Sequence, residues 1–182
     1  MQNLLSNGLS DKQQQSRKKS KRGGTSDPPL FYLYTDGSSS HITGEGGWAY
    51  IILSDEGFIT QDYGYEKGAT NNSMELKAAI EGIKHLSDKK CKVEIYSDSA
   101  YMINSIKNGW WKDWEKNDWV KRNGEKTPNS TLWKELVTLL DSMEVDFIKV
   151  KAHSGDKLSD YCDKLAKEAR KCEGQRIPNT NV

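Results

Sequence analysis

The chain is poor in cysteine, proline and long apolar stretches. Its 182 residues include three cysteines and four prolines, and 35% of the residues are hydrophobic. The cysteines are odd in number and form no CxxC pair, which argues against a disulfide framework or a zinc site and favours a reducing compartment. No apolar run approaches the roughly 20 residues of a membrane span, and no signal-peptide segment follows Met1. We therefore expect a soluble intracellular protein of the cytoplasm that makes no membrane contact.

Net charge is also nearly absent, although the charges are unevenly distributed. The chain has 27 basic and 26 acidic residues, which gives a formal net charge of +1. Residues 1–29 are rich in Lys and Arg and have no hydrophobic periodicity, so they predict a disordered basic N-terminal tail. Its cluster RKKSKR has two explanations. It is a functional element, either a nuclear localisation signal or a weak nucleic-acid-binding site, or it is a solvated leader without a dedicated role. For a eukaryotic source, the nucleus is the alternative compartment.

Residues 30–172 predict one domain, because a chain of this length has room for a single core. Three apolar stretches separated by Gly-, Ser- and Asp-rich turns predict consecutive strands, after which helical spacing and strands alternate. This order favours an α/β fold with a mixed sheet and helices packed on its faces. Residues 173–182 are expected to form a flexible C-terminal tail. The predicted strands are FYLYTDGS, GGWAYIILSD, GFITQDYGY, CKVEIYSD and VDFIKVKA, and the predicted helices are MELKAAIEGIKHL, SAYMINSIKN, STLWKELVTLLDSM and DKLSDYCDKLAKEARK.

Four carboxylates occupy positions at element ends or on a helix face. Asp36 closes the strand FYLYTD, Asp98 closes VEIYSD, Glu75 lies near the start of a helix, and Asp163 lies in the last helix. Strand ends that share one edge of a sheet can gather such groups into one acidic pocket. Like charges in a pocket repel unless divalent cations fill it, and Mg²⁺ prefers carboxylate oxygens. The pattern points to a metal-dependent enzyme that acts on a phosphate-containing substrate.

Each of the first three acids also has a purely structural explanation. Asp36 begins DGSS, a good turn sequence, and Asp98 precedes a helix that it could cap. Glu75 follows Asn72 by three residues, which matches a capping box. Judged singly, each of these acids is better explained by local structure than by chemistry.

The fourth acid cannot be separated from its neighbours by periodicity. Asp156, Asp160 and Asp163 are spaced i, i+4 and i+7, and so share one polar face of the predicted helix. Helical spacing therefore does not choose among them.

Five sequence blocks taken together resemble the ribonuclease H family, and most closely its type 1 members. They occur in the family's order and approximate spacing and span about residues 31–172. The resemblance implies a ribonuclease H-like fold, with a five-stranded mixed sheet whose first three strands are antiparallel and with helices on both faces. It also implies endonucleolytic hydrolysis of the RNA strand of an RNA–DNA hybrid. The blocks are TDGSSS, GGWAY, NNSMELKAA, YSDSAYMINSI and KAHSGDKLSDYCDKLAKEA.

The resemblance implies that Asp36, Glu75, Asp98 and Asp163 are catalytic acids that hold two Mg²⁺ ions, with Mn²⁺ as a substitute. Two ions roughly 4 Å apart can hold an attacking water and a leaving oxygen on either side of one phosphate. The products would then carry 5′-phosphate and 3′-hydroxyl ends. By the same resemblance His153, ten residues before Asp163, assists proton transfer or product release. A solvated loop histidine is the alternative.

The resemblance also implies contacts with the substrate. Discrimination of RNA from DNA requires sensing of the 2′-hydroxyl in a shallow minor groove, and Asn71 and Asn72 match asparagines that the family uses on the hybrid. Capping of the helix is the alternative for Asn72. Thr70 resembles a residue that holds a DNA phosphate. The expected partner is the hybrid alone, with the protein a monomer.

A tryptophan-rich stretch with interleaved lysines follows the second predicted helix. Family members often carry a basic protrusion here that grips the DNA strand, which implies substrate contacts by Trp111, Lys112, Trp114, Lys116 and Trp119. The alternative is that the tryptophans pack the protrusion onto the domain, and we expect this for at least two of them. Acidic residues in the same stretch dilute its charge.

Departures from the family pattern affect substrate contacts and leave the four acids intact. Ala100 and Ser159 stand where relatives often carry glutamine and asparagine, which bears on affinity and sequence preference. Two other functions are open. A hybrid-binding protein that does not cleave would need a broken acid set, whereas a DNA resolvase or integrase would have no use for Asn71 and Asn72.

Overall fold

The computed structural model describes residues 27–151 and 155–172. Most of the predicted N-terminal tail, the predicted C-terminal tail and His153 lie outside the described residues. The strands are β1 (Leu30–Ser39), β2 (Glu45–Ser54), β3 (Gly57–Lys67), β4 (Lys92–Ser97) and β5 (Glu144–Lys149). The helices are α1 (Asn71–Leu86), α2 (Ala100–Lys107), α3 (Trp110–Lys116), α4 (Ser130–Leu140) and α5 (Lys157–Lys171).

The five strands form one mixed sheet in the order β3-β2-β1-β4-β5. β1, β2 and β3 are antiparallel neighbours, while β4 runs parallel to both β1 and β5. Short turns join the antiparallel strands, and the parallel strands are joined by helical crossovers, as parallel pairing requires. The predicted sheet, with its first three strands antiparallel, is confirmed.

Strand alternation divides the apolar residues between two cores. Phe31 and Leu33 of β1 face one side, where the core also includes residues of α1, α2 and α4. Tyr32 and Tyr34 face the other side, where α5 covers the sheet. Because successive side chains of a strand point to opposite faces, β1 serves both cores at once. The prediction of helices on both faces is confirmed.

The first turn of α1 is capped by residues other than those predicted. Thr70 has an extended backbone and accepts a hydrogen bond from the Ser73 backbone N–H (3.1 Å), while the Ser73 hydroxyl accepts one from the Thr70 N–H (2.9 Å). This is a capping box, and it places Asn72 inside the helix. The predicted capping box between Asn72 and Glu75 is therefore wrong. Glu75 is the fifth residue of the helix, and its side chain is available for another contact.

Candidate active site

Asp36 and Asp98 lie where two parallel strands separate. The prediction that the first strand ends at Asp36 is wrong, because β1 continues to Ser39 and Asp36 pairs with Ala49 of β2. On its other side, β1 pairs with β4 only as far as Tyr34 and Tyr96. Asp36 and Asp98 each lie two residues beyond that pair, where β4 ends and the chain turns into α2. Crevices of this kind, at the carboxyl ends of parallel strands, are the usual ligand sites of α/β sheets.

Glu75 reaches this crevice because α1 lies very close to β1. A Cβ atom on Gly37 would be 2.3 Å from the Glu75 backbone nitrogen and 2.5 Å from the Met74 carbonyl carbon. Only glycine permits so close an approach, and it brings the start of α1 beside Asp36. Any larger residue at position 37 would push Glu75 away from the crevice.

Ser99 links Glu75 to the start of α2. Its hydroxyl donates a hydrogen bond to Glu75 Oε2 and accepts one from the Met102 backbone N–H (3.1 Å). Ser99 is thus the N-cap of α2, so the alternative in which Asp98 caps this helix does not hold. The Asp98 carboxylate is left free to face the crevice.

The structure separates the three acids of α5 that periodicity could not. Asp156 is the N-cap, and its Oδ1 accepts hydrogen bonds from the backbone N–H groups of Leu158 (3.0 Å) and Ser159 (3.1 Å). Asp160 and Asp163 both line the crevice. Asp163 Oδ2 accepts a hydrogen bond from Lys167 Nζ at 2.7 Å. Asp160 was not among the predicted site residues, although its position three residues before Asp163 on the same face is a signal that could have identified it.

These side chains enclose a cleft of about 40 Å³, which we call the carboxylate cleft. Asp36 Oδ2 and Ser159 Oγ are buried beside it, and neither finds a hydrogen-bond partner among the described residues. A buried carboxylate oxygen without a partner is costly and is usually satisfied by an ion or water. The cleft is lined by Thr35, Asp36, Asp98, Val150, Lys151, Ser159, Asp160 and Asp163.

The electrostatics of the cleft disfavour its own charges. The pKa of Asp36 is raised to about 8, chiefly by burial and then by the negative charges of Asp98, Asp163 and Glu75, against a backbone hydrogen bond from Gly37 that lowers it. The pKa of Glu75 is likewise raised to about 7. Burial is the main cause, the hydrogen bond from Ser99 lowers the pKa, and the charge of Asp98 raises it. The charges of the other three predicted acids therefore all act on Asp36, and simultaneous ionisation of these carboxylates is unfavourable.

The donor set fits hard divalent cations, although it is not a closed ligand set as it stands. Within residues 27–151 and 155–172, no three Asp, Glu, His or Cys side chains are grouped closely enough to hold one ion. The four acids offer only carboxylate oxygens, which suit Mg²⁺ and Mn²⁺. Because Glu75 is bound by Ser99 and Asp163 by Lys167, a cation has to compete with these two residues for half of its ligands.

Of the predicted substrate residues near α1, two make structural contacts. Thr70 caps the helix. Asn71 Oδ1 accepts hydrogen bonds from the backbone N–H of Ser39 (2.7 Å) and from its hydroxyl (2.9 Å). Asn72 is exposed in the first turn, where no cap is needed from it. All three lie beside the end of β1, near the carboxylate cleft.

In the tryptophan-rich segment, residues 110–127, the rings divide into packed and exposed sets. Trp119 is 5% exposed, and Trp114 packs against Trp119 and Trp133 with ring centroids 6.4 and 5.4 Å apart. The expectation that at least two tryptophans pack the segment onto the domain is confirmed. Lys112 and Lys116 face solvent, and Lys112 Nζ lies 5.5 Å from the centroid of the partly buried Trp111 ring. Trp119 consequently has little surface left for a substrate.

No helix in the described part of the chain is long and apolar enough to cross a membrane. All three cysteines are free thiols, two of them buried, in agreement with the predicted lack of a disulfide framework.

Comparison with known proteins identifies the family. The family model described as RNase H matches residues 29–171. The ribonuclease H of a Thermoanaerobacter species is 44% identical over 146 residues, covering 80% of this chain and 93% of that protein. The ribonuclease H of Caldanaerobacter subterraneus is 45% identical over 139 residues, covering 76% and 90%. The crystal structure of LC9-RNase H1, a type 1 RNase H with the type 2 active-site motif, superposes with a TM-score of 0.69 at 23% identity, covering 81% of this chain and 75% of that one. With a sheet, a cleft and a sequence that all agree, the chain belongs to the ribonuclease H family of nuclease hydrolases.

Proposed function

We propose that the protein is a divalent-metal-dependent endoribonuclease that hydrolyses the RNA strand of RNA–DNA hybrids. The observation that carries this proposal is the half-buried Asp36 carboxylate, on which the charges of three further acids act. Its buried Oδ2 atom has no hydrogen-bond partner within residues 27–151 and 155–172. A protein that only bound nucleic acid would have no use for such a group, because it repels phosphate and destabilises the fold. The membership of the ribonuclease H family supplies the substrate class.

Asp36, Glu75, Asp98 and Asp163 are the proposed ligands of two Mg²⁺ ions. When bound, two such ions supply an activated water and stabilise the departing 3′ oxygen, which yields 5′-phosphate and 3′-hydroxyl ends. Asp36 and Asp98 come from neighbouring strands, so their separation is set by the sheet. Glu75 and Asp163 come from helices on opposite faces. Asp163 lines the cleft, and Glu75 lies close enough for its charge to act on Asp36.

The remaining residues of the site orient the acids and handle protons. Ser99 holds one Glu75 oxygen toward α2 and leaves the other for a ligand. Ser159 offers a buried hydroxyl beside Asp36. His153, which lies outside the described residues, is proposed to assist proton transfer or product release, since imidazole exchanges protons near neutral pH.

Substrate binding is proposed to use two surfaces. Asn71 and Asn72 contact the RNA strand in the minor groove, and Thr70 contacts a phosphate of the DNA strand in addition to capping α1. The tryptophan-rich segment contributes Lys112 and Lys116, which are exposed, and Trp111, whose partly buried ring lies beneath Lys112. Trp114 and Trp119 support this surface from below through their packing.

The test is a cleavage panel with the full chain. End-labelled RNA paired with DNA is incubated with and without Mg²⁺, beside single-stranded RNA, duplex RNA, duplex DNA and branched DNA. We expect metal-dependent cutting confined to the RNA of the hybrid. Binding of the hybrid without cutting in Mg²⁺ or Mn²⁺ would favour a non-cleaving binding protein, and cutting of branched or duplex DNA would favour a resolvase or integrase.

A further inference from the structure

Asn71, the first residue of α1, is held by the last residue of β1. Its Oδ1 atom accepts two hydrogen bonds from Ser39, one from the backbone N–H at 2.7 Å and one from the hydroxyl at 2.9 Å. The side chain is exposed, so its remaining atoms face solvent at the end of the sheet that also carries Asp36.

These bonds fix which way the amide points. A backbone N–H can only donate, so the atom that contacts it must be the amide oxygen and not the amide nitrogen. An amide oxygen has two lone pairs, and Ser39 occupies both. The part of Asn71 left for a ligand is its NH₂ group, which can only donate.

Ser39 is in turn held from the opposite face of the sheet. Arg170 Nη1 donates hydrogen bonds to the Ser39 carbonyl oxygen (3.1 Å) and to Ser38 Oγ (3.2 Å). Arg170 lies in the last turn of α5, whereas Asn71 lies in the first turn of α1. The end of β1 therefore connects the two helices through hydrogen bonds on both sides.

Gly47 explains how α5 comes close enough for this contact. It pairs with Ser38 across the β1–β2 ladder. A Cβ atom on Gly47 would lie 2.2 Å from the Ala166 carbonyl oxygen and 2.4 Å from the Arg170 backbone nitrogen. Without a side chain at position 47, the last turn of α5 rests directly on β2, and the half-buried Arg170 side chain reaches the end of β1.

We infer that Arg170 is a positioning residue that, through Ser39, holds Asn71 as a hydrogen-bond donor toward the 2′-hydroxyl oxygen of the RNA strand. The inference rests on the proposed function, and it adds the polarity of the contact and a residue 99 positions away along the chain that maintains it. A fixed donor is satisfied by the 2′ oxygen of RNA and left unpaired by DNA, so it discriminates between the two.

The test measures affinity by fluorescence anisotropy in the Asp98→Asn background, so that the substrate stays intact. The ligands are an RNA–DNA hybrid, the same hybrid with single 2′-deoxy nucleotides placed along the RNA strand, and the matching DNA duplex. Asn71→Asp keeps the acceptor that Ser39 binds but replaces the outward NH₂ with oxygen. Arg170→Met removes the brace, Arg170→Lys restores part of it, and Lys171→Gln removes the same charge from the same helix end as a control.

We expect Asn71→Asp and Arg170→Met to reduce the preference for hybrid over DNA duplex by about 3- to 10-fold, the range of one hydrogen bond. Arg170→Lys should lie between Arg170→Met and the parent, and Lys171→Gln should keep the full preference. The 2′-deoxy position that weakens binding of the parent should cost Asn71→Asp nothing further.

Thermal unfolding of each variant separates a local effect from loss of the fold, and Arg170→Lys carries the test of Arg170 if Arg170→Met does not fold. An undiminished preference in Arg170→Met, or in Asn71→Asp, would overturn the inference and leave the proposed function standing. A parent protein without any preference for the hybrid would overturn both.

Discussion

In the carboxylate cleft most of the acidic side chains are half-buried, whereas in the tryptophan-rich segment the charged side chains face solvent. The cleft buries like charges, among them an Asp36 oxygen without a partner in the described residues. The segment buries its aromatic rings and exposes charges of both signs, including the Lys121–Glu125 ion pair at 3.3 Å. Packing of the rings thus stabilises the segment, whereas a bound cation would be needed to offset the charge repulsion in the cleft. We therefore expect catalysis at the carboxylate cleft, where charge repulsion lowers stability, and substrate binding at the tryptophan-rich segment, where packing maintains it.

The sharpest test of this difference is Asp98→Asn. We expect it to lower hybrid cleavage by roughly three orders of magnitude or more, since a metal ligand supports several kcal/mol of transition-state stabilisation. Folding and hybrid affinity should persist, because one repulsive charge is removed and the cleft shape is kept. Initial rates on end-labelled hybrid, anisotropy and thermal unfolding measure the three quantities.

Asp141→Asn is the matched control for that variant. Asp141 is exposed at the end of α4, so removal of its charge should leave the cleavage rate within about two-fold of the parent. Cleavage that survives in Asp98→Asn would remove Asp98 from the catalytic acids.

In the tryptophan-rich segment the expected losses are in stability. Trp119→Ala removes a ring that is 5% exposed and packs against Trp114, which should cost about 3–5 kcal/mol of unfolding free energy. Lys112→Ala, at the exposed surface, should change stability by at most about 0.5 kcal/mol and weaken hybrid binding at low salt. Urea unfolding and anisotropy across salt concentrations check both. A stable Trp119→Ala that loses hybrid binding would mean that this ring faces the substrate after all.

Much of the fold was predictable because its signals are local. Alternation in FYLYT marks a strand with two buried faces, and the structure places Leu33 and Tyr34 in opposite cores. The positions of strand ends were less predictable. Asp36 looked terminal because a turn-like DGSS follows it, but pairing with Ala49 extends β1. Pairing between strands is a tertiary interaction. The sequence of one strand therefore does not indicate how many of its residues pair with the neighbouring strand.

The candidate site was predictable as a set of acids and not as a set of contacts. The ordered motifs predicted Asp36, Glu75, Asp98 and Asp163 as the catalytic acids, and in the structure the charges of the other three all act on Asp36. Capping could not be assigned in advance, because Asn, Ser, Thr and Asp are all good caps and several stand near each helix start. Thr70 and Ser99 are the caps because β3 and β4 end shortly before them and the chain enters α1 and α2 at these residues.

The buried carboxylates also predict how stability responds to pH without metal. The pKa of Asp36 is raised to about 8 and that of Glu75 to about 7, so the folded protein holds these protons to a higher pH than the unfolded chain does. Each group therefore lowers stability as pH rises from about 4 toward 8, by a few kcal/mol in total. We expect the unfolding temperature in EDTA to fall over this range, and Mg²⁺ to raise it more at pH 8.5 than at pH 5.

Asp36→Asn isolates the contribution of the cleft to that pH dependence. The variant should be more stable than the parent at pH 8.5 in EDTA, with a flatter pH profile and a smaller response to Mg²⁺. An identical pH profile in the parent and the variant would show that Asp36 is not destabilised by its neighbours.

The smallest expected effect concerns Lys167, which forms an ion pair with Asp163, one of the four acids. Its ammonium group neutralises Asp163 at 2.7 Å, so a cation must displace or share it. We expect Lys167→Met to bind Mg²⁺ about 1.5- to 5-fold more tightly, the range of a solvent-accessible ion pair, in a calorimetric titration without substrate. Lys164→Met is the matched control, since Lys164 pairs with Glu168 on the same helix at 3.8 Å. Equal affinity in both variants would mean that Asp163 leaves Lys167 at no cost; weaker binding in Lys167→Met would mean that the lysine holds Asp163 in its ligand position.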